Sequence, residues 1–418
     1  MIFLCALACF LNYADRINIS VAIIPMSEEY CWTVTDQGTV LGAFFYGYLP
    51  MQIVGAELSK RYGGKIVLGA SALWWSFFTL VTPLAADLGL PALLLARFLM
   101  GLGEGLALPT IVHFLAAWIA PEDRAFTMAC IATGANLGTT FALLVCPAIV
   151  AWASWRVVFY AFGAAGFLWG GVWMRLARNG EGGAGGGAAA AAFSFDVRLY
   201  KKVVTSGACW APMLCQFCDG FGTFGIMHWL PTFFKTEIGQ PVQHLGITFL
   251  PYLVMALLAN VAGWLSERVR SQAGLSLTAV RKLFSCVALS GAALFVVLFS
   301  RAQNKESAII LVTLCLAFKV LAIGGFEATY FDVAHPKYAG TVKALGNSFA
   351  ALSGIVSMAY TSAMYEHVKS WRLVFASLGA VYLAGALAFA LLGSATEVIH
   401  FPLEPAEHPD NFVIDESL

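Results

Sequence analysis

Twelve apolar runs of about 20 residues follow one another along this 418-residue chain, and each is long enough to cross a bilayer as an α-helix. We place the runs at residues 2–25, 37–58, 66–86, 90–119, 125–150, 156–177, 203–232, 243–265, 280–300, 307–330, 340–365 and 371–393. Only 11% of the residues are charged, whereas roughly a quarter are charged in a soluble domain. The sequence therefore predicts an all-α, multi-pass integral membrane protein in the lipid bilayer and excludes a soluble globule.

The runs form two groups of six on either side of a Gly/Ala-rich stretch, NGEGGAGGGAAAAA at 179–192, which is typical of a flexible tether. The predicted organisation is a six-helix bundle at 1–177, a linker with a short interfacial helix at 178–202, a second six-helix bundle at 203–393 and a polar tail at 394–418. The bundles are predicted to be pseudo-symmetric, because LSKR at 58–61 recurs as LSER at 265–268. Two such halves, with a substrate site between them near the middle of the bilayer, are typical of a secondary transporter.

The positively charged residues predict the orientation of the chain. If both termini are cytoplasmic, 15 of the 24 Lys and Arg residues lie in the linker or in loops on that side, six lie on the other side and three lie within spans. This excess agrees with the positive-inside rule. The first run begins at residue 1 without a basic segment ahead of it, unlike a cleaved signal peptide, so we expect it to be the first transmembrane helix. We expect no targeting presequence ahead of this helix, so the sequence does not identify the membrane in which the protein resides.

Charge and motif spacing exclude several other functions. Lys and Arg together number 24, as do Asp and Glu, so no excess positive charge is available for nucleic acid. The chain has no Walker A motif, and we expect no cofactor and no metal. Cys215 and Cys218 form an isolated C-x-x-C, whose expected role is helix packing. The seven histidines are not at metal-ligand spacing, and we expect isolated residues in loops or at helix ends.

Two arginines lie within predicted spans, where a charge costs roughly 2.5 to 3.5 kcal/mol. Arg16 is near two thirds of the way along the first span, and Arg97 is in the first third of the fourth. Guanidinium groups offer planar forks of N–H donors that match carboxylate or phosphate oxygens. The two arginines are therefore candidates for a substrate-binding anion site. In the alternative, Arg16 is neutralised by Asp15, and Arg97 extends towards its membrane interface.

Glu104 follows Arg97 by seven residues, which places it about 20° away on the same helical face. Gly101 and Gly105 nearby would let a neighbouring helix approach closely. A carboxylate beside an anion-binding cation is suited to coupling, because its protonation can respond to anion binding. A static pair that only balances charge is the alternative. Asp15 is a further candidate for coupling.

Lys319 lies deep in the tenth span, too far from either end to reach an interface, so its ammonium needs a partner. Asp219 in the seventh span is the favoured partner, and Glu327 is the alternative. Lys319 is a candidate for substrate binding and Asp219 for coupling, or else the two form a structural bridge between helices. Tyr48 in the second span is a candidate to hydrogen-bond a bound oxyanion, or else a packing residue.

Several segments in the right order resemble a known family. GAELSKRYGGK at 55–65 resembles the loop between the second and third spans of the major facilitator superfamily. More specific matches to its anion:cation symporter family are NYADRINISVAIIPMS at 12–27, FFYGYLPMQI at 44–53, RFLMGLGEGLALP at 97–109, WIAPEDR at 118–124, FGTFGIMHWLPTFF at 221–234 and KYAG at 337–340. The resemblance covers nearly the whole chain. It is strongest to plant plastid-type inorganic phosphate transporters, with sodium-phosphate and vesicular glutamate transporters more distant.

The resemblance implies the major facilitator fold and secondary active transport by alternating access. It implies a small anion as substrate, inorganic phosphate or an organic anion, coupled to a proton or sodium gradient. Family arginines at the positions of Arg16 and Arg97 contact substrate. A plastid membrane is implied by the resemblance alone, with the plasma membrane or another organelle as alternatives, and we expect a monomer. A transporter-like scaffold or sensor without transport activity, or a multi-pass membrane enzyme, are the competing functions.

The same resemblance implies a conformational motif, formed by Gly55, Lys60, Arg61, Gly63, Glu267 and Arg268. Lys60 stands where the superfamily loop carries Asp, whereas Glu267 is expected to keep the carboxylate contact in the second half. Asp219 replaces a basic or aromatic-basic residue of the relatives, and Lys319 is an additional cation. Leu41 stands where the glutamate transporters have His.

Overall fold

The computed structural model describes residues 1–116, 118–119, 124–178 and 197–399. Its helices are α1 Ile2–Glu29, α2 Val34–Tyr62, α3 Gly64–Asp87, α4 Leu90–Ala116, α5 Arg124–Trp152, α6 Trp155–Leu176, α7 Val197–Thr205, α8 Gly207–Thr236, α9 Leu250–Ala273, α10 Leu277–Phe299, α11 Lys305–Lys319, α12 Phe326–Asp332, α13 Pro336–Val368 and α14 Trp371–Leu392. A 3-10 helix at Val242–Phe249 precedes α9, and another at Val320–Gly324 joins α11 to α12. The predicted all-α fold is confirmed.

Ten helical segments in the described part of the chain are long and apolar enough to cross a membrane. Helices α2 and α8 have 29 and 30 residues and are not among these ten. Helix α2 packs against α13 and α8 packs against α1, so each faces the other half of the protein as well as its own. A helix that is shielded from lipid in this way can carry polar residues. Together these segments form the two predicted sets of six.

The predicted linker and tail are described only in part. The Gly/Ala-rich stretch 179–192 lies outside the described residues, and so does the tail from residue 400 onwards. Helix α7 directly precedes α8, where the interfacial helix was predicted. Ile399 forms a single bridge with Ala334, and its carbonyl oxygen accepts a hydrogen bond from the backbone N–H of His335 at 2.9 Å.

The tenth predicted span is not one continuous helix. Helix α11 ends at Lys319, the 3-10 helix runs to Gly324, and α12 begins at Phe326. Gly325 lies between them with φ −102° and ψ −121°, outside the helical region. Interrupted membrane helices often line substrate or ion sites. Lys319 therefore lies at the interruption itself.

The two halves of the protein meet near one side of the membrane. We call the side that holds the α2–α3 hairpin and the linker the linker side, and the other the opposite side. The backbone N–H of Val34 in α2 donates to Oε1 of Glu366 in α13 at 3.0 Å, and Nζ of Lys235 in α8 lies 3.3 Å from Oε1 of Glu28 in α1. All four residues lie near the opposite side. The structure therefore has its opposite side closed.

Close packing of α2 on α4 holds the centre of the first half together. A Cβ atom on Gly101 would lie 2.1 Å from the carbonyl oxygen of Phe44, and one on Gly47 would lie 2.0 Å from that of Phe98. The close approach expected at Gly101 is therefore confirmed. These contacts bring α2 side chains beside Arg97.

We expect Gly47→Ala to destabilise the protein by about 1 to 3 kcal/mol, because the added methyl group would overlap a backbone carbonyl group that cannot rotate away. Thermal unfolding in detergent measures the loss. Gly171→Ala in α6 is the matched control, since its added Cβ meets no atom of a neighbouring element within 4 Å among the described residues. Equal melting temperatures for the two variants would contradict the close helix contact.

Candidate functional site

Four charged side chains lie buried in the first half. They are Asp15 and Arg16 of α1 and Arg97 and Glu104 of α4, and we call them the N-half cluster. Each residue is at most 2% exposed. The alternative in which Arg97 extends to the membrane interface is therefore wrong. With two cations and two carboxylates, the cluster can remain neutral as a set.

Arg16 pairs with Glu104 across the two helices. Its Nε and one terminal nitrogen both lie 3.4 Å from Oε2 of Glu104, and the same terminal nitrogen donates to Oδ1 of Asn12 at 3.3 Å. Asp15 instead accepts a hydrogen bond from Asn18 at 3.4 Å. Glu104 was expected beside Arg97. Its hydrogen-bonded partner is Arg16 because two residues seven apart are about 10 Å apart along a helix axis, while α1 passes at the level of Glu104.

Arg97 differs from Arg16 in having no carboxylate within ion-pair distance among the described residues. One terminal nitrogen of Arg97 lies 3.2 Å from the sulfur of Met100, a weak acceptor. Its Nε and other terminal nitrogen have no hydrogen-bond partner within the described residues. A buried guanidinium with bare donors is unfavourable by itself and is satisfied when an oxyanion binds. Arg97 is therefore suited to receive an anion.

One aromatic ring contacts both cations. The guanidinium carbons of Arg16 and Arg97 lie 5.0 and 5.4 Å from the ring centre of Phe44, within cation–π range. The ring centre of Tyr48 lies 4.4 Å from the guanidinium carbon of Arg16, so Tyr48 offers its ring face to this cation. Sequence reasoning missed Phe44. Its spacing of four residues from Tyr48, on the same helical face, was the available signal.

Both carboxylates of the N-half cluster keep one bare oxygen. Oε1 of Glu104 and Oδ2 of Asp15 are buried and have no hydrogen-bond partner in the part of the chain that the structure describes. A buried carboxylate oxygen of this kind is satisfied if it takes a proton and finds an acceptor. The site therefore combines donors for an anion with acceptors for a proton.

A second charged group lies in the other half, and we call Asp219, Lys319, Glu327 and Lys343 the C-half cluster. Nζ of Lys319 lies 3.3 Å from Oδ2 of Asp219, which confirms the favoured pairing of these two residues. Glu327 pairs with Lys343 instead, and Nζ of Lys343 also donates to Oε1 of Gln216 at 3.3 Å. Lys319 therefore belongs to a group separate from the two arginines.

Lys343 was counted with the loop charges on the cytoplasmic side, although the predicted run 340–365 already includes it. It lies seven residues into α13, with its ammonium 4.7 Å from the ring centre of Tyr330. The pair with Glu327 compensates the charge of Lys343 inside the bundle.

We expect Asp219→Asn and Lys319→Met each to lower the melting temperature, because each leaves a buried partner unpaired, at roughly 3 to 5 kcal/mol. The double variant should recover part of this loss. A double-mutant cycle on thermal unfolding in detergent measures the coupling. Additive losses would contradict the ion pair. Lys305→Met is the control, because that side chain is 49% exposed and its contact with Glu306 is at the surface.

The conformational motif lies at the linker-side ends of α2 and α9. Gly63 has φ 82°, which favours glycine, and Gly55 lies against the backbone of Leu106 in α4. Arg61 lies over the ring of Tyr62, and Arg268 lies over that of Trp264.

The carboxylate contact expected of Glu267 is wrong. Its side chain is 63% exposed and lies 3.7 Å from Arg270 on the same helix, just as Lys60 pairs with Glu57 at 2.9 Å. The inward-facing residue of each repeat is the preceding serine. Ser266 is buried and donates to the carbonyl oxygen of Gly324 at 3.3 Å. The next residue is turned by about 100° around the helix and faces water.

A buried ion pair at this end of the second half involves Arg281, which was counted with the loop charges although the predicted run 280–300 includes it. Arg281 lies four residues into α10, and its Nε donates to Oδ2 of Asp332 at 2.7 Å. One of its terminal nitrogens donates to the carbonyl oxygen of Gly324 at 2.9 Å. Arg281 therefore ties α10 to both sides of the interruption before α12.

The spacing of the histidines predicted isolated residues in loops or at helix ends and no metal site. No group of three or more His, Cys, Asp or Glu side chains that could hold a metal ion occurs among the described residues. His113 lies near the end of α4 as expected, with Nδ1 3.0 Å from the hydroxyl of Ser59. His228 does not follow the prediction. It lies within α8 and is 1% exposed.

Comparison with known proteins gives this geometry a context. Residues 5–358 match the family profile of the Major Facilitator Superfamily. The chain belongs to this superfamily. It is 32% identical to the chloroplastic ascorbate transporter of Arabidopsis thaliana, over 96% of this chain and 75% of the relative. It is 31% identical to the chloroplastic sodium-dependent phosphate transport protein 1 of the same plant, over 96% and 80% of the two chains.

More distant relatives extend the comparison. Human sialin is 28% identical over 91% of this chain and 86% of its own length. A bacterial homologue of the human lysosomal transporter Spinster, solved in an inward-facing and occupied conformation, superposes with a TM-score of 0.73 at 17% identity, over 94% of both chains. The D-xylose-proton symporter gives 0.72 at 13% identity, over 96% and 99% of the two chains. The major facilitator fold and the resemblance to plastid anion transporters are confirmed, and the protein is a membrane transporter rather than an enzyme.

Proposed function

We propose that this facilitator is a secondary active transporter of a small oxyanion, inorganic phosphate or an organic anion, and that it works as a monomer. The carrying observation is the buried Arg97, whose two bare nitrogens lie beside the ring that also contacts Arg16. An anion bound there gains charge-assisted hydrogen bonds from a planar fork. Relatives that are named for ascorbate and for phosphate support this class of substrate and a plastid membrane as the location.

The same cluster supports coupling to a cation gradient. An anion that engages Arg16 competes with Glu104 for the guanidinium, so Glu104 then needs a proton or a sodium ion to stay neutral. Asp15 is the second carboxylate that can take this role, through its bare Oδ2. Anion and cation would therefore bind together and cross together.

Alternating access then follows from the two bundles. The opposite side is closed by contacts such as that between Lys235 and Glu28. Breaking these contacts while forming others near the linker side would expose the N-half cluster to the other compartment. The linker at 178–202 would join the bundles during this motion.

Counterflow in proteoliposomes tests the proposal. We expect labelled phosphate or ascorbate to exchange across a sealed membrane that contains the purified protein, with no ATP present. Imposed pH and sodium gradients, applied separately, identify the coupling ion by which of them drives accumulation. Absence of exchange for both anions, with the protein correctly inserted, would favour a scaffold or sensor without transport.

A further inference from the structure

His228 has no partner that explains its burial. It is 1% exposed, and neither ring nitrogen has a hydrogen-bond partner among the residues that the structure describes. Its neighbours are aromatic: the ring of Phe45 lies edge-on at 5.9 Å, and that of Phe224 lies at 6.5 Å. A neutral imidazole carries one donor and one acceptor, and in the present arrangement neither makes a hydrogen bond within the described residues. A phenylalanine or leucine would fill the same space without this penalty.

The position of His228 matches that of the anion site. His228 lies eight residues from the opposite-side end of α8, and Arg97 lies seven residues from the corresponding end of α4. At a rise of about 1.5 Å per residue, both residues lie roughly 10 to 12 Å below the same side. They therefore have nearly the same depth, on opposite halves of the protein.

Two consecutive residues of α2 connect His228 to the cluster. The ring of Phe44 contacts Arg16 and Arg97, and the ring of Phe45 contacts His228. The rings of Phe44 and Phe45, whose centres are 5.4 Å apart, thus contact Arg97 and His228 respectively.

We propose that His228 is the contact that the C-terminal half makes with the transported anion. When the anion is enclosed between the halves, an N–H group of His228 donates to one of its oxygens, while Arg16 and Arg97 hold the others. The rings of Phe44 and Phe45 would turn aside to admit the anion. This inference rests on the proposed anion site, and it adds the group through which the second half recognises the same ligand.

The contact restricts the class of substrate. Two guanidinium forks engage the two oxygens of a simple carboxylate completely. Reaching His228 as well requires at least one additional acceptor oxygen on the same small anion. Inorganic phosphate has such an oxygen, and so does an organic anion that carries hydroxyl or enol groups, such as ascorbate. Acetate has none.

Three substitutions at this position test the contact. His228→Leu and His228→Phe remove the donor, and His228→Asn keeps a side-chain N–H. Since the imidazole is unsatisfied in the present state, we expect the leucine and phenylalanine variants to melt at or above the wild-type temperature. Binding of phosphate and of ascorbate, each followed by thermal shift and by competition in counterflow, should weaken about tenfold or more in both. His228→Asn should recover part of this loss.

Acetate and a second histidine provide the controls. Any weak competition by acetate should be unchanged in all three variants, because acetate cannot reach residue 228. His244→Gln should behave as wild type, because His244 is exposed in the 3-10 helix before α9.

Wild-type affinity and anion preference in both the leucine and phenylalanine variants would overturn the proposal. So would equal weakening for phosphate and acetate, which would indicate a general packing effect. If His228→Leu binds normally while Arg97→Ala does not, only this inference fails and the anion site stands. If the wild-type protein exchanges neither anion, the proposed function itself has failed.

Discussion

Arg97→Ala is expected to abolish nearly all anion uptake and to destabilise the protein less than Arg16→Ala does. Each charge-assisted hydrogen bond contributes about 1.5 to 3 kcal/mol, so losing two of them weakens binding on the order of a hundredfold. The stability prediction has a separate reason. No carboxylate is hydrogen-bonded to Arg97 within the described residues, and removing its bare donors relieves a cost of burial.

Arg16→Ala should also abolish uptake but should lower the melting temperature. Its removal leaves Glu104 buried without its partner, at roughly 3 to 5 kcal/mol. Arg97→Lys should recover little uptake, because a point charge lacks the fork of donors. The measurements are uptake into proteoliposomes and thermal unfolding in detergent.

Arg301→Ala is the control for these variants, because Arg301 is an exposed arginine beyond the end of α10. Normal uptake by Arg97→Ala at normal membrane abundance would contradict the two-arginine site. Equal destabilisation by the two alanine substitutions would contradict the asymmetry between a paired and an unpaired guanidinium.

Glu104→Gln is expected to uncouple transport from its gradient while sparing exchange. Glutamine keeps the shape and can still accept a hydrogen bond from Arg16, but it cannot take up or release a proton. Accumulation against a pH or sodium gradient should therefore fall to near equilibrium, whereas counterflow of labelled anion should continue. A neutral partner also frees Arg16, so the anion should bind no more weakly than in wild type.

Asp15→Asn provides the comparison and Glu306→Gln the control. Glu306 is 67% exposed and pairs only with Lys305 at the surface among the residues described, so its neutralisation should change nothing. If Glu104→Gln concentrates the anion as well as wild type and Asp15→Asn does not, the coupling group is Asp15. Full accumulation in both variants would direct the search to Asp219.

The sequence predicted correctly those properties that depend only on the depth of one residue in the bilayer. Lys319 lies too far from either end of its span to reach a membrane interface, so the need for a partner followed from its position alone, and Asp219 is that partner. The same argument identified Arg16 and Arg97 as buried charges. Gly101 was expected to admit another helix, and it does so because a helix of small residues leaves room for a backbone.

It failed where two helices had to be placed against each other. Glu104 and Arg97 lie on the same face of α4, yet Glu104 accepts its hydrogen bond from Arg16, because α1 crosses α4 at the level of Glu104. Glu267 corresponds to Lys60 in the repeat, but its side chain faces water, whereas the neighbouring Ser266 faces the protein interior. The sequence spacing of residues gives their angular position around a helix axis. It does not give the point along that axis at which a neighbouring helix crosses.

The sequence by itself determined the number and approximate ends of the membrane helices, the two sets of six and the charges buried within them. It could do so because hydrocarbon offers no partner for a bare backbone or charge, so length and polarity along one chain decide which segments insert. Only the tertiary structure decided which of these charges are paired. Arg16 is paired, Arg97 has bare nitrogens, and His228 lies at matching depth in the other half. Those relations join residues far apart in the chain, and they are set by helix crossing and side-chain packing, which no single run of residues encodes.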